Sequence, residues 1–176
     1  MAERRQTDGA LLYDMSHASL RTALGIPRRA AALLLLLVGA ACGGDSVFIP
    51  KIEETNFAAA LDVNLAASTK TASGLYYRDL IVGTGATVPA DTNKSVTVGY
   101  AGYLRNGTEF DSGTLGPFTL GTGAVIPGFD EGIRGMKVGG RRQLIIPPAL
   151  GYGSERVGSI PANSILVFVV DLNRIN

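Results

Sequence analysis

Apolar residues occur in short runs or alternate with polar ones along the second half of the chain, a pattern typical of β-strands. The predicted strands lie at residues 74–82, 94–104, 108–111, 117–120, 141–147 and 165–175. In the strand that begins at Lys94, the alternation puts Val96, Val98 and Tyr100 on one face of the sheet.

Glycine and asparagine mark the turns between these strands. Asn106-Gly107 predicts a two-residue hairpin of type I′, because both central residues of that turn need a positive φ. Gly139-Gly140 predicts the turn before the strand at 141–147. Because strands and helices do not alternate, we expect an α+β fold: a curved, mostly antiparallel sheet wrapped around one short helix.

The stretch VIPGFDEG, which begins at Val125, joins the end of a strand-like run to the start of a helical one. Pro127 suits a helix start because its φ is preset, and Gly135 suits a helix end because glycine tolerates a positive φ. Val125, Ile126 and Phe129 can then point to one place and form an apolar concavity. The alternative is a plain strand-to-helix corner whose side chains belong to the core.

A different pattern precedes these elements. The apolar run from Ala30 to Ala41 follows the cations Arg28 and Arg29. A membrane-spanning helix needs about 20 residues, so this shorter run predicts the core of a signal peptide, with a buried helix as the alternative. Met15 is a second candidate for the start of the chain.

The residues Gly39-Ala40-Ala41-Cys42 resemble a bacterial lipoprotein cleavage site. The resemblance implies cleavage before Cys42, acylation of that cysteine and attachment to a membrane through the lipid. Gly39 stands where that pattern usually has Leu or Val, and ordinary cleavage after Ala41 is the alternative.

The chain is therefore expected to have three parts. Residues 1–42 would be an N-terminal extension and signal peptide, and residues 43–73 a tether that docks on the domain through the apolar spacing of residues 56–65. Residues 74–176 would be a domain that folds alone, since about 100 residues can bury a sufficient core.

Composition excludes several kinds of chemistry from the exported part. The chain has one Cys and one His, His17, and neither lies beyond residue 42. A disulfide, a zinc site, a Ser-His-Asp triad and a Cys-His pair are excluded there, and we expect no metal and no cofactor. Past Cys42 the 11 Lys and Arg against 12 Asp and Glu give a net charge near −1. No basic patch indicates nucleic acid as a partner.

Several separated motifs follow the order of one protein family. They are VTVGYAGYL at 96–104, NGTEFDS at 106–112, VIPGFDEG at 125–132, PPALGYG at 147–153 and IPANSILVF at 160–168. Together they resemble the FKBP-type peptidyl-prolyl cis-trans isomerases, in order and nearly in spacing, over about residues 74–175. The resemblance implies the same α+β fold and catalysis of rotation about X-Pro bonds.

The resemblance also implies an apolar substrate pocket with Phe129 at its base. Its walls would be Tyr100, Phe110, Val125, Ile126, Tyr152, Ile160 and Phe168. Tyr152 would donate its hydroxyl to a substrate carbonyl, and Asp111 would lie beside the pocket and pair with Tyr100. The alternatives are that Tyr152 only lies at the rim, with its hydroxyl in solvent, and that Asp111 only caps a turn.

Three positions depart from the family pattern. Phe129 stands where relatives often have Trp. The segment from Asp111 to Leu120 is short, which leaves open whether Phe118 faces the pocket or the core, since a one-residue slip reverses the face. Residues 154–159, the flap beside the pocket, are polar where relatives are often apolar.

The predicted function is peptidyl-prolyl cis-trans isomerisation during the folding of exported proteins in a bacterial cell envelope, by desolvation and hydrogen bonding. Implied partners are proline-containing polypeptides, immunosuppressant macrolides and a membrane reached through the lipid anchor, and we expect a monomer. One alternative is an FKBP-like chaperone or binding module with little catalytic activity. Another is an unrelated small β-rich ligand binder.

Overall fold

Six strands form one antiparallel sheet in the computed structural model, which describes residues 48–90 and 93–176. The strands are β1 (Thr69–Lys70), β2 (Tyr76–Ile81), β3 (Ser95–Leu104), β4 (Glu109–Thr119), β5 (Arg141–Ile146) and β6 (Leu166–Ile175). Their order across the sheet is β1-β2-β5-β6-β3-β4. One α-helix, α1 (Pro127–Ile133), occurs within this described part. The 3-10 helices there are Ile52–Glu54, Ala59–Leu61, Leu65–Ala67 and Pro148–Leu150.

The predicted α+β class, with an antiparallel sheet and one short helix, is confirmed. The predicted strands at 108–111 and 117–120 are one strand, β4, because two bulges let it stay paired with β3 along its length. The signal peptide, its cleavage site and Cys42 lie outside the described residues. No helix within 48–90 and 93–176 is long and apolar enough to cross a membrane.

The β3–β4 hairpin is present, but its predicted type I′ turn is wrong. Gly107 has a φ of +87°, whereas Asn106 is not among the residues with positive φ. The Gly107 N–H donates to the Leu104 carbonyl (2.9 Å), and the Leu104 N–H donates to the Thr108 carbonyl (2.9 Å). This is a type I turn followed by a left-handed glycine, the usual three-residue hairpin loop. The Asn106 side chain stabilises it by accepting from the Thr108 N–H (3.1 Å).

Both faces of the central strands are buried. In β5, Leu144 and Ile146 belong to the cluster under α1, while Ile145 between them belongs to a second cluster on the opposite face. In β6, Phe168 and Val167 divide in the same way. Successive side chains of a strand point to opposite faces, so a sheet covered on both sides requires continuous apolar runs.

Helix α1 lies very close to the sheet. Pro127 is at its first turn, as the sequence predicts. A Cβ atom at Gly128 would come within 2.5 Å of the Ile146 side chain, and one at Gly132 within 2.5 Å of Leu144. Only hydrogen at these two positions, one helical turn apart, permits this approach.

The buried guanidinium of Arg142 holds the end of α1 against the sheet. It donates to the carbonyl of Gly132 (2.9 Å), in the last turn of α1, and to that of Arg134 (3.1 Å), the C-cap residue. Its charge is balanced by a two-pronged ion pair with Asp79 at 2.7 and 3.1 Å. The ring of Tyr77 lies 4.4 Å from the guanidinium carbon. The helix end is thus fixed by charge as well as by packing.

Residues 48–70, here called the strap, cover the face of the sheet opposite α1. Ile52 and Leu61 of the strap are buried in the second cluster. There they pack with Ile145, Ile165 and Val167. The buried amide of Gln143 donates to the Leu61 carbonyl at 2.7 Å. The strap therefore packs on the sheet over most of its length, including the residues that the sequence presents as a tether.

Polar contacts fasten the strap at two points. One Glu53 oxygen accepts from Lys70 and from the Tyr76 hydroxyl, both at 2.6 Å. These contacts lower the pKa of Glu53 to about 2; the hydrogen bond from Lys70 has the larger effect and that from Tyr76 the next. Arg78 donates to the Asp62 carbonyl (2.6 Å) and carboxylate (2.9 Å).

Removal of the strap should weaken the domain without abolishing its fold. Fragment 74–176 keeps the main cluster but loses the burial of Ile52 and Leu61, each of which contributes about 1.5–3 kcal/mol. We expect its free energy of unfolding, from urea denaturation, to be about 3–6 kcal/mol below that of Gly44–Asn176. In the longer chain, Leu61→Ala should reproduce part of the loss, and Phe48→Ala, at a side chain 79% exposed, should not. Equal stability of both fragments would show that the strap is only a tether.

Candidate functional site

An apolar cavity of about 240 Å³ opens on the face of the sheet that carries α1. Its lining residues come from β3, β4, β6, α1 and the loops before α1 and after Pro148–Leu150. They are Tyr100, Phe110, Asp111, Leu115, Ala124, Val125, Ile126, Phe129, Tyr152 and Phe168. Most are aromatic or aliphatic, and the polar groups among them are two hydroxyls and one carboxylate.

Aromatic rings set the shape of this cavity. Phe129 and Phe168, 3% and 5% exposed, form its base, with ring centroids 5.2 Å apart at 71°. Phe110 stands edge-on to Phe168 at 5.5 Å, and Tyr100 stands edge-on to Phe129 at 6.0 Å. Such edge-to-face contacts are the favoured arrangement of aromatic pairs. Four rings from four elements therefore fix one another.

Gly102 of β3 makes room for two of these rings. A Cβ atom there would come within 2.7 Å of both Phe110 and Phe168. Any larger residue would push the rings into the cavity or apart. Gly102 is thus a determinant of the site that aromatic spacing alone does not reveal, although a glycine inside a strand often marks such a close approach.

A hydrogen bond joins the two polar groups on the sheet side of the cavity. The Tyr100 hydroxyl donates to the Asp111 carboxylate at 2.7 Å. This hydrogen bond, followed by burial, raises the pKa of Tyr100 to about 12. The phenol therefore stays protonated at physiological pH, and its proton is directed at Asp111 rather than at the cavity.

Tyr152 is the other hydroxyl at the cavity. It follows the 3-10 helix Pro148–Leu150 in a loop, is half-buried, and packs its ring against the main cluster. Its hydroxyl makes no hydrogen bond within the described part of the chain. The group is consequently available to donate to a bound molecule, whereas the Tyr100 proton is already engaged.

The structure brings together most of the residues that the sequence analysis places at a pocket. Ile160 is the exception: it is buried in the core, 5% exposed, and does not line the cavity. Phe118, left open by the sequence, also packs against the core and not the cavity, because the bulge opposite Thr97 sets its register. Leu115 and Ala124 line the cavity instead.

Asp130 holds the loop that forms one wall of the cavity. Its carboxylate accepts from the Gly121 N–H at 2.6 Å and from Arg134 at 2.8 and 3.0 Å. Arg134 also donates to the Ala90 carbonyl (2.8 Å). The wall formed by Ala124 and Val125 is thus fixed to α1, and an acidic residue in a first helical turn was the only sequence signal for this role.

Another concave surface in the described residues lacks the aromatic rings. A groove of about 300 Å³ next to the β3–β4 hairpin is lined mainly by proline, alanine and polar residues such as Arg105 and Asn163, with no aromatic ring. No group of three or more His, Cys, Asp or Glu within 48–90 and 93–176 could hold a metal ion. The aromatic cavity is therefore the candidate site.

The sequence and the fold match one family. Residues 86–173 match the family model described as FKBP-type peptidyl-prolyl cis-trans isomerase. The chain is 43% identical over 125 residues to peptidyl-prolyl cis-trans isomerase FKBP15-3 of Arabidopsis thaliana, and the match covers 68% of this chain and 87% of that protein. The chain belongs to the FKBP-type peptidyl-prolyl cis-trans isomerase family.

Bacterial relatives are similar over the same region. The chain is 49% identical over 106 residues to the FKBP-type isomerase FkpA of Buchnera aphidicola, covering 59% of this chain and 42% of that protein. The crystal structure of FkpA from Escherichia coli superposes with a TM-score of 0.55 at 37% identity, covering 62% of this chain and 52% of that one. This chain thus spans about half the length of these two relatives, or less.

Loss of the Asp130 carboxylate should loosen the wall of the cavity. Hydrogen bonds to a charged group contribute about 1.5–3 kcal/mol. We expect Asp130→Ala to lower the free energy of unfolding by about that amount and to speed hydrogen exchange at the Gly121 amide, measured by NMR. Glu131→Ala is the matched control, because the neighbouring carboxylate bonds Ser73 instead. Unchanged exchange at Gly121 in Asp130→Ala would contradict this role.

Proposed function

We propose that this protein catalyses cis-trans isomerisation of X-Pro bonds in the aromatic cavity. The observation that carries the proposal is a cavity walled by four mutually packed aromatic rings, with one unengaged hydroxyl, that of Tyr152, at its edge. A cavity of about 240 Å³ is the right scale for a proline ring with part of its neighbours. Family membership supports the same activity.

The physical basis is the difference between a planar and a twisted amide. Rotation about the bond meets a barrier of about 18–20 kcal/mol from resonance. Resonance makes the planar amide strongly polar, and rotation reduces that polarity. An apolar surrounding therefore disfavours the planar ground state more than the twisted transition state, which lowers the barrier without nucleophile or cofactor.

The residues divide into three roles in this mechanism. Phe129, Phe168 and Phe110 exclude water from the proline ring and its amide. Tyr152 donates its hydroxyl to a carbonyl of the bound chain and keeps it in place during rotation. Asp111 acts as a positioning residue, because its hydrogen bond fixes the Tyr100 ring that stands against Phe129.

A binding module with little catalysis is the second candidate function. The flap is the observation that favours it: Glu155 and Arg156 are exposed there, and Val157 is its one large apolar side chain, 42% exposed. Such a flap offers little apolar contact to residues beside the proline. A protein with this function would bind unfolded chains without accelerating isomerisation of a short peptide.

We infer an envelope location from the leader. The run from Ala30 to Ala41 and the junction at Cys42 support export, cleavage and lipid attachment. Clients would then be exported polypeptides that contain proline, met by a monomer at the membrane surface. Macrolide ligands of the kind named in the FK506-binding proteins among its relatives would compete for the same cavity.

Substitutions in the cavity should separate the roles of its residues. Tyr152→Phe removes a neutral hydrogen bond of about 0.5–1.5 kcal/mol, so kcat/KM on a proline tetrapeptide should fall about threefold to tenfold. Phe168→Ala should reduce activity further, because it admits water to the amide, and should cost about 3–5 kcal/mol of stability. Asp111→Asn keeps the shape of the side chain and removes its charge. If the exclusion of water matters more than charge, kcat/KM should fall less in Asp111→Asn than in Tyr152→Phe.

The assay should be protease-free, with circular dichroism to verify that each variant is folded. Phe129→Trp, which restores the residue common in relatives, should retain activity and tighten macrolide binding. Full activity in folded Tyr152→Phe and Phe168→Ala together would show that the cavity is not the active site. Binding of unfolded chains without any rate enhancement would favour the second candidate.

Lipid attachment at Cys42 can be tested by Cys42→Ser in a bacterial host. We expect an unprocessed or soluble precursor and no incorporation of labelled fatty acid, whereas the unmodified chain should fractionate with membranes. One acyl chain binds membranes only marginally, so stable anchoring requires more than one. Correct cleavage and membrane fractionation of Cys42→Ser would exclude the lipid anchor.

A further inference from the structure

Strand β4 forms a long open edge of the sheet. It runs eleven residues, Glu109–Thr119, and is the last strand in the sheet order, paired only with β3. Among the residues that the structure describes, none bonds the outer backbone of its middle part. Exposed edges of this kind are ready to pair with another extended chain.

The hydrogen bonds at the two ends of β3 show which of its residues face β4. The Asn176 N–H donates to the Ser95 carbonyl (2.8 Å), so Ser95 faces β6. The Leu104 N–H donates to the Thr108 carbonyl (2.9 Å), so Leu104 faces the β4 side. The extra residues of the bulges lie in β4 and β6, so the alternation along β3 is unbroken. Even-numbered residues of β3 therefore bond β4.

The same alternation identifies the free groups of β4. Gly113 lies opposite Tyr100, an even-numbered residue, so its backbone bonds β3. Ser112 and Thr114 flank it, and their N–H and C=O groups point away from the sheet. Further along, Pro117 has no N–H to leave unpaired. The regular part of the open edge, before the bulge at Pro117, thus presents the outward groups of Ser112 and Thr114.

This edge is continuous with the candidate active site. Phe110, Asp111 and Leu115 of the same strand line the aromatic cavity, on both sides of the open segment. The side chains at Ser112 and Thr114 are small, uncharged and exposed. The Ser112 hydroxyl donates to the exposed Glu109 carboxylate (2.7 Å), so an approaching chain would meet small side chains with one negative charge beside them.

We propose that Ser112 and Thr114 bind the extended backbone of the client polypeptide beside its proline, as an added strand on β4. This inference rests on the proposed function, since the proline must occupy the cavity. Backbone hydrogen bonds would then hold any sequence next to the proline, and the side chains of the client would matter little. The polar flap is consistent with such binding, because affinity would come from the edge instead.

A second copy of the chain is a less suitable occupant of the edge. Stable dimers bury roughly 1,200–2,000 Å² with an apolar centre. The exposed side chains along Ser112–Thr114 offer little apolar area, and Pro117 ends the set of free N–H groups. Continuity with the cavity therefore favours the client.

The backbone N–H groups of a strand point to alternate sides, and this alternation provides the test. A synthetic peptide with one proline, long enough to run along β4, is titrated into the full chain by calorimetry, with single N-methyl groups placed at successive backbone amides. In an added strand only every second amide bonds the edge. Methylation at those positions should weaken binding about threefold to tenfold, and methylation at the positions between them should not. Equal effects at all positions, or none, would overturn the proposal.

Variants of the protein provide a second, independent test of the proposal. Thr114→Pro removes one outward N–H and should weaken binding of the long peptide, whereas Thr114→Val keeps the N–H and should not; thermal melts verify folding. Equal binding by Thr114→Pro and Thr114→Val would overturn the proposal. Sedimentation that reveals dimers broken by Thr114→Pro would also overturn it, in favour of self-association. Failure of the wild-type chain to isomerise a proline tetrapeptide would instead refute the proposed function.

Discussion

The depth of the aromatic cavity depends on how closely α1 approaches the sheet. Gly128 and Gly132 let the helix backbone lie against Ile146 and Leu144, where a methyl group would clash. At that distance the ring of Phe129, carried by the same helix, reaches Phe168 of β6. Arg142 secures the far end of the helix through two carbonyls. The position of one short helix therefore determines whether a dry site exists.

The strands, the helix and most cavity walls could be predicted because local patterns determine them. Pro127 starts the helix, as its preset φ requires, and the helix ends at Ile133, two residues before Gly135, whose φ is +76°. The contact between Asp130 and Gly121 could not be predicted, since it joins a helix to a loop whose path is set by tertiary packing. Ile160 illustrates the same limit: its apolar character is compatible with wall and core alike, and only the fold decides.

The strap shows a different limit of sequence patterns. Its 3-10 helices of three residues are too short to produce a helical periodicity, so the sequence predicts a tether that docks through residues 56–65 but no regular structure in it. The sequence evidence that the strap packs on the sheet lies in other strands. The uninterrupted apolar runs of β5 and β6 require cover on both faces of the sheet, and α1 can cover only one. The missing cover had to come from residues before Tyr76.

The attachment of the strap has a mechanical consequence. The strap lies on one face of the sheet and the cavity opens on the other, so tension applied through Phe48 acts first on the strap. Its fastenings to the sheet, Glu53 with Tyr76 and Asp62 with Arg78, follow one another along the chain and would yield one after another, by peeling. The ladders of β3 with β4 and β6 are much longer and lie beyond these fastenings. A tethered molecule under tension should therefore extend by the length of the strap before its cavity is disturbed.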